Sequence, residues 1–280
     1  MIAPALRGDT VVLLHSSASS ARQWQPAVEA LQAHFSVHAI DFHGHGAQPD
    51  WQGGAAMTLA DEVALVEPLL EQAGGAHLIG HSYGGAVALK LATRLPALVR
   101  SVVAYEPVLF GLLLDDAGSR REVQAVIAMA EAMRLRLAQG QAQAAAQRFI
   151  DFWSGPGAWA SLAAGRQLAF AARMPVVLQH FEALFSDPLA RSDLARLRMP
   201  LLLASGACTV PAARRIAQLV HAAQPQAQRD VMHDMGHMGP ITHAAAFNRR
   251  LLEFLGVQAP SRRDTHRGSP PLAITNYIRT

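Results

Sequence analysis

The order of apolar runs constrains this chain more than any other feature. Val11–Leu14, Val37–Ile40, His77–Ile79 and Val99–Tyr105 alternate with stretches of helical period at Trp24–Ala33, Leu59–Gln72 and Gly85–Arg94. Runs so short and so apolar predict parallel strands buried on both faces, which need helices above and below them. Their alternation predicts a doubly wound, mostly parallel α/β sheet. From Pro107 to about Arg198 the strand signal disappears, and helical spacing over Arg121–Leu137, Gln141–Trp153, Trp159–Ala172 and Val176–Phe185 predicts an inserted set of helices. The sheet is expected to resume with Leu201–Ser205, a helix over Ala212–Ala222, a last strand near Arg229–Met232 and a closing helix over Ala244–Leu255. No internal repeat competes with this reading.

A sheet of about six strands is therefore expected from residues 1–106 and 199–259, with a helical cap over 107–198 inserted after the strand ending at Glu106. Residues 260–280, rich in Pro, Ser, Gly and Arg and without periodicity, are expected to form a flexible tail. That tail carries the whole formal charge of +3, so the body is neutral and has no broad electrostatic footprint for nucleic acid. No apolar stretch approaches the roughly 18 residues of a membrane span. Met1–Thr10 lacks the pattern of a secretory signal. The chain is thus expected to be cytoplasmic, with a small-molecule substrate and neither membrane nor nucleic-acid partners; its oligomeric state stays open. The single cysteine, Cys208, excludes an intrachain disulfide and a thiolate metal site, and is expected to be a small buried apolar residue.

The segment Gly80-His81-Ser82-Tyr83-Gly84 matches G-x-S-x-G, follows a predicted strand and leads into the small-residue helix from Gly85. A nucleophile on a strand-to-helix bend occupies strained backbone, and small flanking residues relieve the crowding. The helix beyond supplies unpaired N–H groups and a positive dipole end, both suited to negative charge developing on a substrate oxygen.

At these residues the chain resembles the α/β-hydrolase family over nearly its whole length except the tail. His15-Ser16-Ser17 stands where the family has a His-Gly-x segment, which implies an oxyanion hole made by the backbone N–H groups of Ser17 and Tyr83. Asp41-Phe42-His43-Gly44-His45-Gly46 is similar to the family's D-x-x-G-x-G turn, with the glycines more informative than the histidines; no metal is expected there. Gly236-His237 follows the last predicted strand, the family's place for the catalytic base, and an imidazole suits a serine hydroxyl that needs a base of near-neutral pKa. His233 and His243 are expected to be ordinary surface or core residues. The N-terminus lacks room for the family's opening pair of strands.

The acid departs from the commonest family pattern. Thr209 fills the usual aspartate slot in Gly206-Ala207-Cys208-Thr209-Val210-Pro211, and a neutral hydroxyl cannot compensate an imidazolium. Some members, haloalkane dehalogenases among them, carry the acid one strand earlier, which here is Glu106, with Asp234 a weaker substitute. Pro107 is expected to hold Glu106 extended.

The resemblance implies a carboxylesterase-like serine hydrolase: Ser82 nucleophile, His237 base, Glu106 acid, and no cofactor. Ester, lactone, amide or carbon–carbon bond cleavage on a small or medium, mainly apolar substrate all fit. Phe149, Phe152, Trp153 and Trp159, with Phe170, are candidates for the pocket lining. Two alternatives stand beside it: an acyltransferase or perhydrolase on the same site, and a low-turnover ligand-binding member of the fold.

Overall fold

In the computed structural model, which describes residues 9–257, six strands form one parallel sheet in the order β2-β1-β3-β4-β5-β6. The strands are β1 Thr10–Leu14, β2 Ser36–Ile40, β3 Ala76–His81, β4 Val99–Tyr105, β5 Leu201–Gly206 and β6 Gln228–Met232. Each lies within a residue or two of its apolar run. The flexible tail expected over 260–280 lies outside the described residues.

Alternation along the strands sorts the core into two layers. Val11, Leu13, Ile79, Val103, Leu202 and Ala204 face α1 (Gln25–Leu31) and α10 (Ala244–Phe254). Val12, Leu14, Leu78, Val102, Ala104 and Leu203 face the opposite layer, which includes α2 (Leu59–Ala73), α3 (Tyr83–Arg94) and α9 (Pro211–Ala223). From β1 the chain first steps to β2 on one side and then returns to β3 on the other. The carboxyl ends of β1 and β3 therefore flank the point where the winding reverses, the place where sheets of this kind leave a crevice.

Between β4 and β5 lie five helices: α4 (Phe110–Leu114), α5 (Arg120–Ala138), α6 (Ala142–Ser154), α7 (Ala164–Ser186) and α8 (Arg191–Ala195). The sequence predicts two helices where α7 runs unbroken through Pro175. A proline inside a helix costs about 3 kcal/mol, but Ala171 and Met174 before it and Val177, Phe181 and Leu184 after it form one buried stripe. Breaking the helix would expose half of that stripe, and burial outweighs the lost backbone bond. The predicted start at Trp159 also moves to Ala164; Trp159 sits in a turn, its N–H donating to Asp151 Oδ1 at 2.8 Å. Lys90 on α3 pairs with Asp187, which also accepts the Ala60 N–H at 3.1 Å, tying the end of α7 to the core.

Candidate active site

Ser82 stands between β3 and α3 with φ 56° and ψ −114°, outside the ordinary wells of an L-residue. The bend is possible because its neighbours have no side chains: a Cβ on Gly80 would lie 2.2 Å from the Gly84 carbonyl oxygen, and one on Gly84 would lie 2.2 Å from that of Leu14. Among the described residues the non-glycine positions with positive φ are Ala18, Ser82, Glu106 and Asp234, at 60°, 56°, 45° and 59°. Ala18, Ser82 and Glu106 follow β1, β3 and β4; Asp234 lies in the loop that carries His237. Such conformations cost roughly 1–3 kcal/mol each and persist only where surrounding contacts dictate them.

At Ser82 and Glu106 the contacts form one buried chain of hydrogen bonds. Ser82 Oγ lies 3.0 Å from His237 Nε2, and His237 Nδ1 lies 2.7 Å from Glu106 Oε2. With Glu106 ionised, Nδ1–H donates to the carboxylate and Nε2 is left to accept the serine proton. Glu106 Oε2 also accepts the Thr209 hydroxyl at 2.6 Å, and Oε1 accepts the Gly206 N–H at 2.7 Å. Thr209 thus reaches the site as a donor to the carboxylate of the preceding strand. Asp234 is exposed, and among the described residues the His237 ring hydrogen-bonds with Ser82 and Glu106 and not with it.

Two sequence expectations need correction here. Glu106 is not held extended by Pro107; its φ of 45° turns the carboxylate from the end of β4 toward β5, and the Gly206, Thr209 and His237 donors fix it there. Cys208 is exposed rather than buried. Its N–H is tied to the Met235 carbonyl at 2.8 Å, and the turn that aims Thr209 inward points the thiol out.

The backbone that carries the imidazole is held as well. Tyr105 O–H donates to the Gly236 carbonyl at 2.7 Å, and His81 Nε2–H donates to the His237 carbonyl at 2.7 Å. His81 Nδ1 then accepts from Gln23 Nε2 at 3.0 Å, while Gln23 Oε1 accepts the N–H and hydroxyl of Ser16 at 3.1 and 2.9 Å. Burial, with His237 second, pushes the His81 pKa well down, so this strut stays neutral. The indole of Trp153 stacks on the His237 ring with centroids 4.3 Å apart.

On the other side of Ser82, Tyr83 is the first residue of α3, so its N–H has no intrahelical acceptor. Neither it nor the Ser17 N–H meets an acceptor among the described residues. The Ser17 segment is anchored by His15, whose Nδ1–H donates to the Ser16 carbonyl at 2.7 Å and whose Nε2 accepts the Phe42 N–H at 3.1 Å. Burial, then His45, lowers its pKa to about 3. Behind Tyr83 lies a second buried polar group. His180 stacks on Tyr83 at 3.8 Å and on His45 at 4.8 Å, its Nδ1 lies 2.8 Å from Ser17 Oγ, and its Nε2 lies 3.8 Å from Glu62 Oε1. Burial pushes the Glu62 carboxyl up to about 8.

A cavity of about 730 Å³ opens over Ser82, His237 and Ser17. Phe149, Trp153 and Phe170 line it; Phe152 and Trp159 do not. Phe149 and Trp153 are one helical turn apart on α6 and share its inner face. Phe152 packs edge-on against Trp153 at 5.0 Å, and Trp159 borders a separate depression with Gly140 and Leu168. Sequence reasoning missed Thr209 as a partner of the acid, the Gln23–His81 strut and the His180–Glu62 group. Only the first had a signal, the gap in the usual aspartate slot.

The profile of the Alpha/beta hydrolase family matches residues 11–250. RutD of Pantoea ananatis (strain LMG 20103), named for a proposed carbamate hydrolase activity, is 30% identical over 269 residues, covering 90% of this chain and 90% of that protein. The dihydrolipoyllysine-residue acetyltransferase component of the acetoin cleaving system of Cupriavidus necator is 33% identical over 129 residues; they cover 42% of this chain and 34% of that protein's length. The crystal structure of the enol-lactonase from Burkholderia xenovorans LB400 superposes with a TM-score of 0.69 at 20% identity, covering 91% and 94% of the two chains, a likeness of fold. With the family's profile extending from the first strand to the last helix, this chain belongs to the alpha/beta hydrolase family.

Proposed function

We propose that this chain is a serine hydrolase that forms an acyl-enzyme on a small or medium ester-like substrate. The observation that carries the reading is the unbroken chain from Ser82 Oγ through His237 to Glu106, at 3.0 and 2.7 Å, opening onto a cavity with a partly apolar wall. Ser82 Oγ attacks the carbonyl carbon as His237 Nε2 takes its proton. The Tyr83 and Ser17 N–H groups receive the oxyanion, and their lack of protein acceptors is what such a hole requires.

Collapse of the tetrahedral intermediate expels the leaving group, which takes the proton from His237. Water then attacks the acyl carbon, His237 takes the water's proton and returns it to Ser82. In each half-reaction the imidazolium is compensated by Glu106 and covered by the indole face of Trp153, a cation–π contact worth about 0.5–2 kcal/mol. Phe149, Ile150, Leu162 and Phe170 give the acyl chain an apolar wall. The similarity to a protein named for carbamate hydrolysis agrees with chemistry at a carbonyl carbon. The test is incubation with a fluorophosphonate probe followed by peptide mapping. The adduct is expected on Ser82 and absent from Ser82→Ala; labelling elsewhere overturns the reading.

A further inference from the structure

Among the described residues, the cavity above Ser82 is lined by three arginines and by no aspartate or glutamate. Arg166 and Arg173 lie on one face of α7 at helical spacing, and Arg22 lies in the turn Ala21–Trp24 beyond the Ser17 segment. Among the described residues none of them pairs with a carboxylate. Among the described residues the Arg22 and Arg166 side chains make no hydrogen bond, and Arg173 gives one Nη1–H to the Ala18 carbonyl at 2.9 Å. Asp41 acts with Arg173 on the electrostatics of His15 and His45, but its oxygens accept the Ala21 and Ala47 N–H groups and it does not border the cavity.

A guanidinium presents five N–H donors in a planar fork, and half-buried Arg173 commits one of them. The other described residues that line the cavity are serines, apolar side chains and a few neutral polar groups beside His237, none of them a carboxylate to neutralise a cation. A cavity lined by one sign of charge gathers counter-ions, and a carboxylate matches the fork in two parallel hydrogen bonds. A purely apolar substrate would instead desolvate Arg173 without compensation.

We propose that the cavity takes ester-like substrates that carry a carboxylate remote from the scissile carbonyl, received by Arg173, with Arg166 and Arg22 drawing it inward. This rests on the serine-hydrolase reading and narrows its substrate class: an apolar stem against Phe149, Trp153 and Phe170, with an anionic end toward α7.

The test compares mono-p-nitrophenyl glutarate with p-nitrophenyl valerate, which place the same number of acyl carbons on the same leaving group. A second pair, 4-acetoxybenzoate and phenyl acetate, places the carboxylate on the leaving group instead. In at least one pair the anionic member is expected to have about tenfold higher kcat/KM, chiefly through KM, with the ratio falling as salt is added. Arg173→Gln should bring the ratio toward one, and Arg166→Glu, whose parent side chain supports no other residue, should lower it further than Arg166→Gln does. Because the readout is a ratio within one protein, damage to the Ala18 segment in Arg173→Gln does not imitate the result.

Ratios at or below one in both pairs, or a preference that survives Arg166→Gln/Arg173→Gln, overturn the proposal. If Ser82-dependent hydrolysis remains in that case, the serine-hydrolase reading is untouched. If none of the four esters is cleaved, the fluorophosphonate adduct on Ser82 decides the serine-hydrolase reading, and calorimetric titration with glutarate decides the present one: binding lost in Arg173→Gln supports it, and absence of binding to the wild-type chain overturns it.

Discussion

Two buried polar groups flank Ser82, and they differ in how completely their atoms are paired. Toward His237, the Ser82 hydroxyl, both imidazole nitrogens, both Glu106 oxygens, Thr209, His81 and Gln23 all have partners at hydrogen-bond distance. Behind Tyr83, the Tyr83 hydroxyl, His180 Nε2, Glu62 Oε1 and His45 Nε2 are buried without a hydrogen-bond partner among the described residues. The paired side is built almost wholly from sheet ends and the loops that leave them, whereas the unpaired side forms where α7 of the insertion meets α2 and α3. Saturated hydrogen bonding gives one fixed geometry, which proton transfer requires. Unpaired buried atoms cost free energy and mark where the insertion has latitude.

The largest effect should come from the paired side. Ser82→Ala is expected to reduce kcat/KM for a p-nitrophenyl ester by about 10⁴-fold or more; retention of ready hydrolysis would erase the distinction between the two sides. Glu106→Gln should cost about 10³-fold, since an amide neither compensates the imidazolium nor fixes its tautomer. Adding Thr209→Asp to Glu106→Gln sharpens the point. The position that now donates to the carboxylate would supply one, and about tenfold of the lost rate should return. Trp153→Leu should lower kcat by about tenfold through loss of the face that covers His237, with the change read in kcat rather than KM.

The smallest effect belongs to the unpaired side and appears in stability. Glu62 holds its proton up to about 8 in the folded chain, against an ordinary 4.5, so the native state binds more protons than the unfolded state between those values. Stability from this group is therefore complete at low pH and is lost as pH rises through that window. Glu62→Gln should melt higher than the wild-type chain at pH 9 by about a few degrees and converge with it near pH 5. The buried histidines act oppositely. His15 and His77 titrate at about 3 and about 4 rather than 6.5, so the unfolded chain takes up protons first and stability falls as pH drops from 6.5 toward those values. Equal pH profiles for the wild-type chain and Glu62→Gln would remove the contrast.

Much of this architecture was legible because its signals are local. An apolar run of a few residues predicts each strand, and G-x-S-x-G carries its own bend in its glycines. Glu106 came from the resemblance, since some members of the family carry the acid one strand earlier than the slot that Thr209 fills. What escaped depends on partners distant in the chain. Pro175 argues for a break in α7 when read against its neighbours, and the opposite once its buried stripe is known. The left-handed Glu106 follows from donors on β5 and on the last loop, not from Pro107. Phe149 and Phe152 are equally aromatic in sequence, and only the orientation of α6 decides which one meets the cavity. Nothing near Arg173 in the chain announces that it turns toward Ala18.

The ring contact between Trp153 and His237 carries a consequence for timing. The indole travels with α6, while the imidazole hangs from the loop after the last strand. Any motion that lifts α6 to admit a molecule also uncovers the base, which regains its working surroundings only when the roof has come down. On the mechanism proposed above, a water molecule entering while α6 is raised would meet Ser82 without its covered base, and wasted turnover would be limited by architecture rather than by affinity.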